Sequence, residues 1–433
     1  MRTLCTAEIL AVGSELLTPH RSDTNSLYLT SRLNEIGIDV RAKTIVGDDP
    51  RDLTAIFQQA LLRADVVLLT GGLGPTADDL TREAVAASLG CPLEEHPGIL
   101  ASLRQRFAAR NISMPEINRR QAQVPCGAAI LPNPHGTAPG LWLDADGDRV
   151  VVLLPGPPRE MQPMFDHYVK PRLASRSGGR GLRRRVLKIT GRPESGVEEV
   201  AQPHYRTMTA WEIPVQTTIL AAPGQIELHL SATAVDEGAV DATLQRAVDV
   251  LAVALGDIVY STDGRSLPEV VGDALRARHA TIAVAESCTG GLVAGRLTDV
   301  PGSSEWVTGG ITAYANEVKT EQLGVSVRLL EQHGAVSEPV AEAMAAGVRE
   351  RLHTAVGLSI TGIAGPGGGS EAKPVGTVVI AATDGSDRMV RTFRFLGDRS
   401  MVRVQATQAA LDMVRRLLMA ARAGGPGAKP PDR

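Results

Sequence analysis

From Ala7 to Leu89 the chain alternates apolar, strand-like runs with amphipathic, helix-like ones, and no other feature constrains its fold as strongly. Ala7–Gly13 (AEILAVG) reads as a buried strand ending in glycine, and residues 24–36 place Leu27, Leu29, Leu33 and Ile36 at near-helical spacing. Asp39–Val46 and Ala64–Thr70 (ADVVLLT) read as further strands, with a helix over Asp52–Leu62 between them and another over Asp79–Leu89. Strands that all run one way need crossovers long enough to hold a helix, so a βαβαβα order predicts a parallel sheet covered by helices. Such sheets bind ligands beyond the carboxyl ends of their strands. Gly13 and Gly71-Gly72-Leu73-Gly74 fall at those ends.

At about 100–200 residues per domain, a chain of 433 residues predicts two to four domains. The first segment continues through Asn133–Gly140 to a strand at Val150–Leu154 and the loop Pro155-Gly156-Pro157-Pro158. An Arg/Gly/Ser stretch at 174–185 interrupts the pattern, and its Arg180, Arg183, Arg184 and Arg185 read as a solvated linker. Strands at Val186–Thr190, Gln216–Leu220 and Gln225–Ala232 and a helix at Val240–Ala254 follow, then a linker at Ser261–Arg265. The last segment opens with a helix at Leu267–Arg278 and a strand at Thr281–Ala285, and closes with a long helix from Ser400 to Ala421. The expected fold class is therefore α/β: a parallel-sheet domain over 1–172, a small α+β module over 173–262 and a second α/β domain over 263–421. A tail rich in Gly, Pro and Lys, 422–433, is expected to be disordered.

Charge and cysteine usage exclude several classes. A net charge of −3 gives no global footprint for nucleic acid, and no nucleic-acid partner is expected. Cys5, Cys91, Cys126 and Cys288 are scattered with no CxxC pair, which excludes a zinc ribbon and argues against a disulfide framework. Reduced thiols fit the cytoplasm, the expected location. The opening Met1-Arg2-Thr3-Leu4-Cys5 lacks the pattern of a signal peptide, and no run approaches the length of a membrane span.

The clearest chemistry lies in the last segment. The strand ending at Ala285 leads into Glu286-Ser287-Cys288-Thr289-Gly290-Gly291 and a helical stretch, Leu292–Leu297. A hydroxyl at a strand-to-helix turn is placed for attack, near helix N–H groups that can hold an oxyanion. The same residues also read as a helix cap followed by packing glycines. A nucleophilic serine needs a base, and the nearby His279, His333 and His353 lie in no triad-like motif. Lys319 is the other candidate, in Ala313-Tyr314-Ala315-Asn316-Glu317-Val318-Lys319, where Tyr314 and Lys319 flank a strand-to-helix transition. Thr361-Gly362-Ile363-Ala364-Gly365-Pro366 follows a strand at Val356–Ile360 and can present amides to phosphate, although it is not a Walker loop. Arg399, in Gly397-Asp398-Arg399, can grip phosphate or pair with Asp398.

The ordered set AESCTGG, AYANEVK, HGAVSEPVAEAMA, SITGIAGPGGGSEAKPVGTV and GDR resembles the CinA C-terminal domain. The resemblance implies nicotinamide mononucleotide deamidase activity, in which the nicotinamide amide becomes a carboxylate and ammonia leaves. It assigns Ser287 as nucleophile and Lys319 as general base. Tyr314 and Thr361 become supporting hydroxyls and Arg399 a substrate-binding residue. With the turn and the glycine loop, the expected substrate contacts are Thr289, Gly290, Thr361, Gly362, Gly365 and Arg399. No cofactor is expected for deamidation.

In the first segment, Gly71-Gly72-Leu73-Gly74-Pro75-Thr76-Ala77-Asp78-Asp79 joins a glycine turn that suits phosphate to carboxylates that suit Mg²⁺ or a similar hard cation. The carboxylates also read as caps of the following helix. The segments VGSELL, DTNSLYL, VGDD, GGLGPTADDLT, NPHGTAPGL and LPGPPREM resemble the molybdopterin-binding family that opens CinA proteins. That resemblance implies a nucleotide or pterin site at Ser14, Asn25, Gly71, Gly72, Gly74, Thr76, Asp78 and Thr137, with Asp48 and Asp79 as candidate divalent-metal ligands. Some CinA proteins are associated with ADP-ribose pyrophosphatase activity, which the fold alone does not imply. In the middle module, Gly191-Arg192-Pro193-Glu194-Ser195 departs from the family's GxGES at Pro193. The expectation is a bifunctional, homodimeric enzyme of pyridine-nucleotide salvage acting on nicotinamide mononucleotide and ADP-ribose. Two alternatives are a nucleotide-sensing or scaffolding protein linked to competence and DNA damage, and a molybdopterin-binding protein.

Overall fold

A computed structural model describes residues 3–423, which divide into two compact units, Met1–Arg183 with Ala232–Ala242, and Arg184–Ser231 with Thr243–Arg433. Residues 424–433, most of the tail expected to be disordered, lie outside the described residues, and the closing helix runs on through Ala423.

The first unit begins β1 (Thr6–Val12), α1 (Asn25–Glu35), β2 (Asp39–Val46), α2 (Pro50–Arg63), β3 (Val66–Thr70) and α3 (Thr81–Leu89). It goes on through β4 (Leu93–Glu95), α4 (Pro97–Ala108), β5 (Gln123–Pro125), β6 (Ala129–Leu131), β7 (Gly140–Ala145), β8 (Arg149–Leu154), α5 (Pro158–Met164) and α6 (Lys170–Ala174). The six-stranded sheet has the order β2-β1-β3-β8-β7-β6. Its first four strands are parallel, as the alternation predicts, while β7 and β6 add an antiparallel edge. The central strands are apolar on both faces because both faces are covered. In β3, Val66 and Leu68 join α1 and α5 in one core, and Val67 and Leu69 join α2, α3 and α4 in the other.

Two further sheets follow along the chain. The four-stranded one is built from β9 (Gly181–Ile189), α7 (Glu194–Met208), β10 (Gln216–Ala222), β11 (Gln225–Ala234), α8 (Glu237–Leu255) and β12 (Val259–Ser261), in the order β10-β11-β9-β12. Here the structure corrects the sequence reading: Arg183, Arg184 and Arg185 belong to a strand, and Arg183 pairs with Glu237.

The second sheet comes from α9 (Leu267–Arg276), β13 (Ile282–Glu286), α10 (Leu292–Thr298), β14 (Val307–Thr312), α11 (Asn316–Leu323), α12 (Val327–His333), α13 (Glu338–Arg351), β15 (Val356–Gly362), β16 (Thr377–Thr383), β17 (Arg388–Arg394) and α14 (Arg399–Ala423). Its order is β14-β13-β15-β16-β17, with the first three strands parallel and the last two added antiparallel. Alternate residues again feed two cores. Ile282 and Val284 pack with α9, α10 and α14, while Ala283 and Ala285 pack with α11 and α13. The three parallel strands therefore deliver the loops after β13, β14 and β15 to one edge. All four cysteines are free, as expected. Among the described residues no helix is long and apolar enough to cross a membrane.

Candidate functional site

The segments leaving that edge carry Ser287, Tyr314, Lys319 and the glycine loop. Ser287 follows β13, Tyr314 and Lys319 follow β14, and Thr361 to Gly365 close β15. The central position of β13 fixes the first: Ser287 N donates to Ile360 O (2.9 Å), and Ala313 N donates to Glu286 O (2.8 Å). Ser287 is 8% exposed, and its hydroxyl has no hydrogen-bond partner among the described residues. The amide of Cys288 is directed at its own thiol, that of Thr289 is without a partner among them, and Gly290 N closes the turn onto Ser287 O (3.1 Å). Gly290 (φ +61°) and Gly291 (φ +99°) take the left-handed conformation that this reversal into α10 requires.

Lys319 is 1% exposed. Its Nζ donates to the carbonyls of Ala313 (2.9 Å) and Tyr314 (3.1 Å). Burial pushes its amine below the usual lysine value, against smaller opposing contributions from Cys288 and Glu317. Because Ala313 binds Glu286 through its N–H and Lys319 through its carbonyl, the amine lies at the foot of the Ser287 turn. No hydrogen bond joins Lys319 to Ser287, and the Tyr314 hydroxyl does not link them. Tyr314 is 61% exposed and its hydroxyl accepts from Arg399 Nη2 (3.1 Å); Lys319 meets only its backbone. The reason is local: the chain turns into α11 two residues after Tyr314, leaving carbonyls that the flexible lysine reaches first.

Arg399 opens α14 and forms no ion pair with Asp398; it donates to Gly365 O (3.0 Å) as well as to Tyr314. Three residues expected to contact substrate are packed within the fold. Thr361 is buried and donates to Ala335 O (2.8 Å). Thr289 is fully buried, and its Oγ1 has no partner among the described residues. Gly362 lies within β15, where a Cβ would press on Val378 and Thr377.

The first unit contains a cavity of about 580 Å³ beyond the carboxyl ends of β1, β3 and β8. Asn25, Gly71, Gly72, Gly74, Asp78, Thr137, Asp48 and Asp79 line it. Asn25 is buried; its Nδ2 donates to Gly156 O (2.7 Å) and its Oδ1 has no partner among the described residues. A Cβ on Gly72 (φ +65°) would run into Thr81 Oγ1, so the cradle backbone is packed on the start of α3. Ser14 and Thr76 do not line the cavity; each braces a carboxylate that does. Ser14 N donates to Asp48 (2.8 Å), and Thr76 donates to Asp79 through N (2.9 Å) and Oγ1 (2.5 Å). Asp79 thus clasps the loop rather than capping α3, whose cap is Leu80.

Comparison with known proteins decides the family. Residues 264–418 match the CinA C-terminal domain, and residues 8–175 match the probable molybdopterin binding domain. A CinA-like protein of Solibacter usitatus is 48% identical over 410 residues, covering 95% of this chain and 97% of its own. One from Koribacter versatilis is 47% identical over 418 residues, covering 95% and 100%. This chain belongs to the CinA family. The crystal structure of competence/damage inducible protein CihA from Agrobacterium tumefaciens is 37% identical to this CinA chain, spanning 35% of it and 93% of CihA, with a TM-score of 0.35.

Three charged residues of this CinA protein escaped the sequence reading. Glu286 is 1% exposed, and its carboxylate accepts from three amides at the start of α10. Arg403 on α14 donates to Thr289 O (2.7 Å) and so ties α14 to the Ser287 turn. Arg82 on α3 is buried under the glycine cradle, donating to Leu73 O (2.7 Å) and Gly74 O (3.0 Å). Pro193 sits just before α7 at its cap, where its missing N–H costs nothing, and its carbonyl accepts from Gly196 and Val197.

Proposed function

We propose that the C-terminal domain is an amidohydrolase that converts nicotinamide mononucleotide to nicotinic acid mononucleotide and ammonia, with Ser287 as nucleophile and Lys319 as general base. The observation that carries this reading is the state of Lys319. A neutral amine has two protons and one lone pair. The carbonyls of Ala313 and Tyr314 take both protons, and burial favours the neutral form, so the lone pair stays available to accept the serine proton. Catalytic hydrogen bonds are often long before substrate binds, so a serine hydroxyl free of other partners is ready to turn toward the amine.

Ser287 Oγ attacks the amide carbon and its proton passes to Lys319. The tetrahedral oxyanion meets the amides of Cys288 and Thr289, a stabilisation of about 3–4 kcal/mol where donors are aligned. Collapse expels the amide nitrogen, which takes the proton from Lys319 and leaves as ammonia. Water, deprotonated by the same amine, then hydrolyses the acyl-serine to the carboxylate. Arg399, joined to the β15 loop, faces the substrate phosphate. The test is ammonia release from nicotinamide mononucleotide, its riboside and NAD by the purified chain. Release from the mononucleotide that vanishes in Ser287→Ala supports the reading; no release from any of the three refutes it, and favours a sensing or scaffolding role.

The cavity of the first unit supports a second reading, a site for hydrolysis of ADP-ribose to AMP and ribose 5-phosphate. Its buried, unpartnered Asn25 Oδ1 and glycine cradle suit the hydroxyls and phosphates of a nucleotide. Among the described residues no three carboxylate, histidine or cysteine side chains are grouped to cage a metal. Asp48 and Asp79 fit instead a Mg²⁺ ion that keeps several waters and leans on substrate phosphates. Such an ion, when bound, would stabilise charge on the pyrophosphate. AMP formation that is lost in excess chelator supports this reading, whereas binding of molybdopterin in preference to ADP-ribose would replace it.

A further inference from the structure

Two nucleophiles are adjacent at the head of α10, and the thiol of Cys288 is intrinsically the better one. A cysteine just before a helix normally has its thiolate stabilised by the unpaired amides of the first turn. Here those amides are already taken. Glu286, the last residue of β13, accepts from Gly291 N (2.9 Å), Val293 N (3.1 Å) and Ala294 N (2.8 Å), and it is 1% exposed. Three amide hydrogen bonds to one buried carboxylate hold the side chain fixed.

From this geometry we propose that Glu286 is a positioning residue of the site: it occupies the α10 amides, confines a developing oxyanion to the amides of Cys288 and Thr289, and denies the α10 amides to the Cys288 sulfur so that Ser287 acts. The inference rests on the amidohydrolase reading above. The charged groups acting on Cys288 are Glu286 on its own turn, Arg399 and Arg403 from α14, and Lys319 from α11. Burial is the largest influence and Glu286 adds to it, outweighing the two arginines, so the thiol is pushed up to about 11. The second role of Glu286 is steric. Without it, the three amides would compete with those of Cys288 and Thr289 for any anion at the turn, and the reacting carbonyl would have two places to go.

Glu286→Gln separates these roles, because the amide keeps the shape and loses the charge. Two readings are taken on folded, full-length variant and wild type. The first is alkylation of Cys288 by iodoacetamide against pH, located by peptide mass spectrometry to distinguish it from Cys5, Cys91 and Cys126. The second is kcat and KM for ammonia release. The expected result is Cys288 alkylation faster by roughly tenfold near neutral pH, one pKa unit's worth, with kcat lower by about 10²-fold and KM nearly unchanged. Unchanged alkylation together with unchanged kcat overturns the proposal, as does a loss confined to KM. Should the variant fail to fold, wild-type alkylation still decides: a midpoint near 11 is expected, and thiolate-like labelling at pH 7 overturns the proposal. A wild type that releases no ammonia from any nicotinamide nucleotide defeats the amidohydrolase reading alone, since the alkylation arm needs no substrate.

Discussion

At the scale of single residues, the site turns on how burial treats two neighbouring groups. It pushes the Cys288 thiol up and the Lys319 amine down, so for each it favours the neutral form. Neutrality disables a thiol and enables an amine. Ser287→Ala and Lys319→Ala are therefore each expected to lower kcat by about 10⁴-fold or more, as removal of one member of an acting pair does elsewhere. Cys288→Ala should stay within about tenfold of wild type. A dead Cys288→Ala beside an active Ser287→Ala would reverse the assignment. The pH dependence follows with a defined sign. The base acts unprotonated, so kcat/KM should fall as pH drops through the lowered lysine value and level off above it, with a midpoint below the usual 10.5. The same shift sets a slope in stability. Between the lowered value and 10.5 the unfolded chain binds more protons than the folded one, so stability should rise with pH across that window. Lys319→Met should lose that slope, measured as melting temperature against pH. A wild type and variant with parallel curves would place the lysine charged and solvated.

At the scale of elements, the second unit ties α14 to the turn that precedes β12. Arg415 is buried and donates to Asp257 O (2.8 Å), Arg416 pairs with Asp257, and Tyr260 of β12 packs in the same core as α9 and α14. A fragment of residues 263–433 keeps every deamidase motif and its five-stranded sheet, and it is expected to fold and release ammonia. A fragment from residue 256 keeps Asp257 and Tyr260 as well. The retained charged hydrogen bond is worth about 2 kcal/mol, so the longer fragment should melt higher by about 4–8 °C. A soluble, folded shorter fragment with no ammonia release would show that β12 completes the site. These elements also show what the sequence could reveal. The strand ends that carry Gly71, Ser287 and Thr361 were legible because each strand is buried on both faces and reads as an unbroken apolar run. The helix α7 was not, since Pro203 interrupts its pattern. Nor was the antiparallel edge of β6 and β7, although its pairings are local: β6 is a three-residue strand, too short to show alternation, and β7 turns into β8 through residues 146–148. Glu286, Arg82 and Arg403 were invisible for a different reason. A charged residue inside an apolar run has no periodicity of its own, and its role appears only when the fold brings carbonyls or amides to it.

At the scale of the whole molecule, each compact unit closes its own cores and carries its own candidate site, one around Asn25 and the glycine cradle, the other around Ser287. Chemistry built on separate cores should be separable. Ser287→Ala is expected to leave ADP-ribose hydrolysis within about twofold of wild type. Asn25→Leu, which removes the unpartnered Oδ1 and the bond to Gly156, should abolish ADP-ribose hydrolysis and leave ammonia release unchanged. Asn25 is the better probe than Asp79, because Asp79 also clasps Thr76, and its loss would loosen the loop whether or not a metal binds there. Calorimetry gives a test that does not depend on turnover. A chain with two cooperative units should melt in two transitions. A ligand that binds one folded unit stabilises it by about 2.7 kcal/mol at a hundred times its Kd, raising that unit's transition by about 5–10 °C for 150–250 residues. ADP-ribose should therefore raise one transition in wild type and none in Asn25→Leu. Nicotinamide mononucleotide, added to Ser287→Ala so that it is not consumed, should raise the other. If either ligand moved both transitions together, the two sites would be coupled through the fold, and the variants at one site would have to be reread as variants of both.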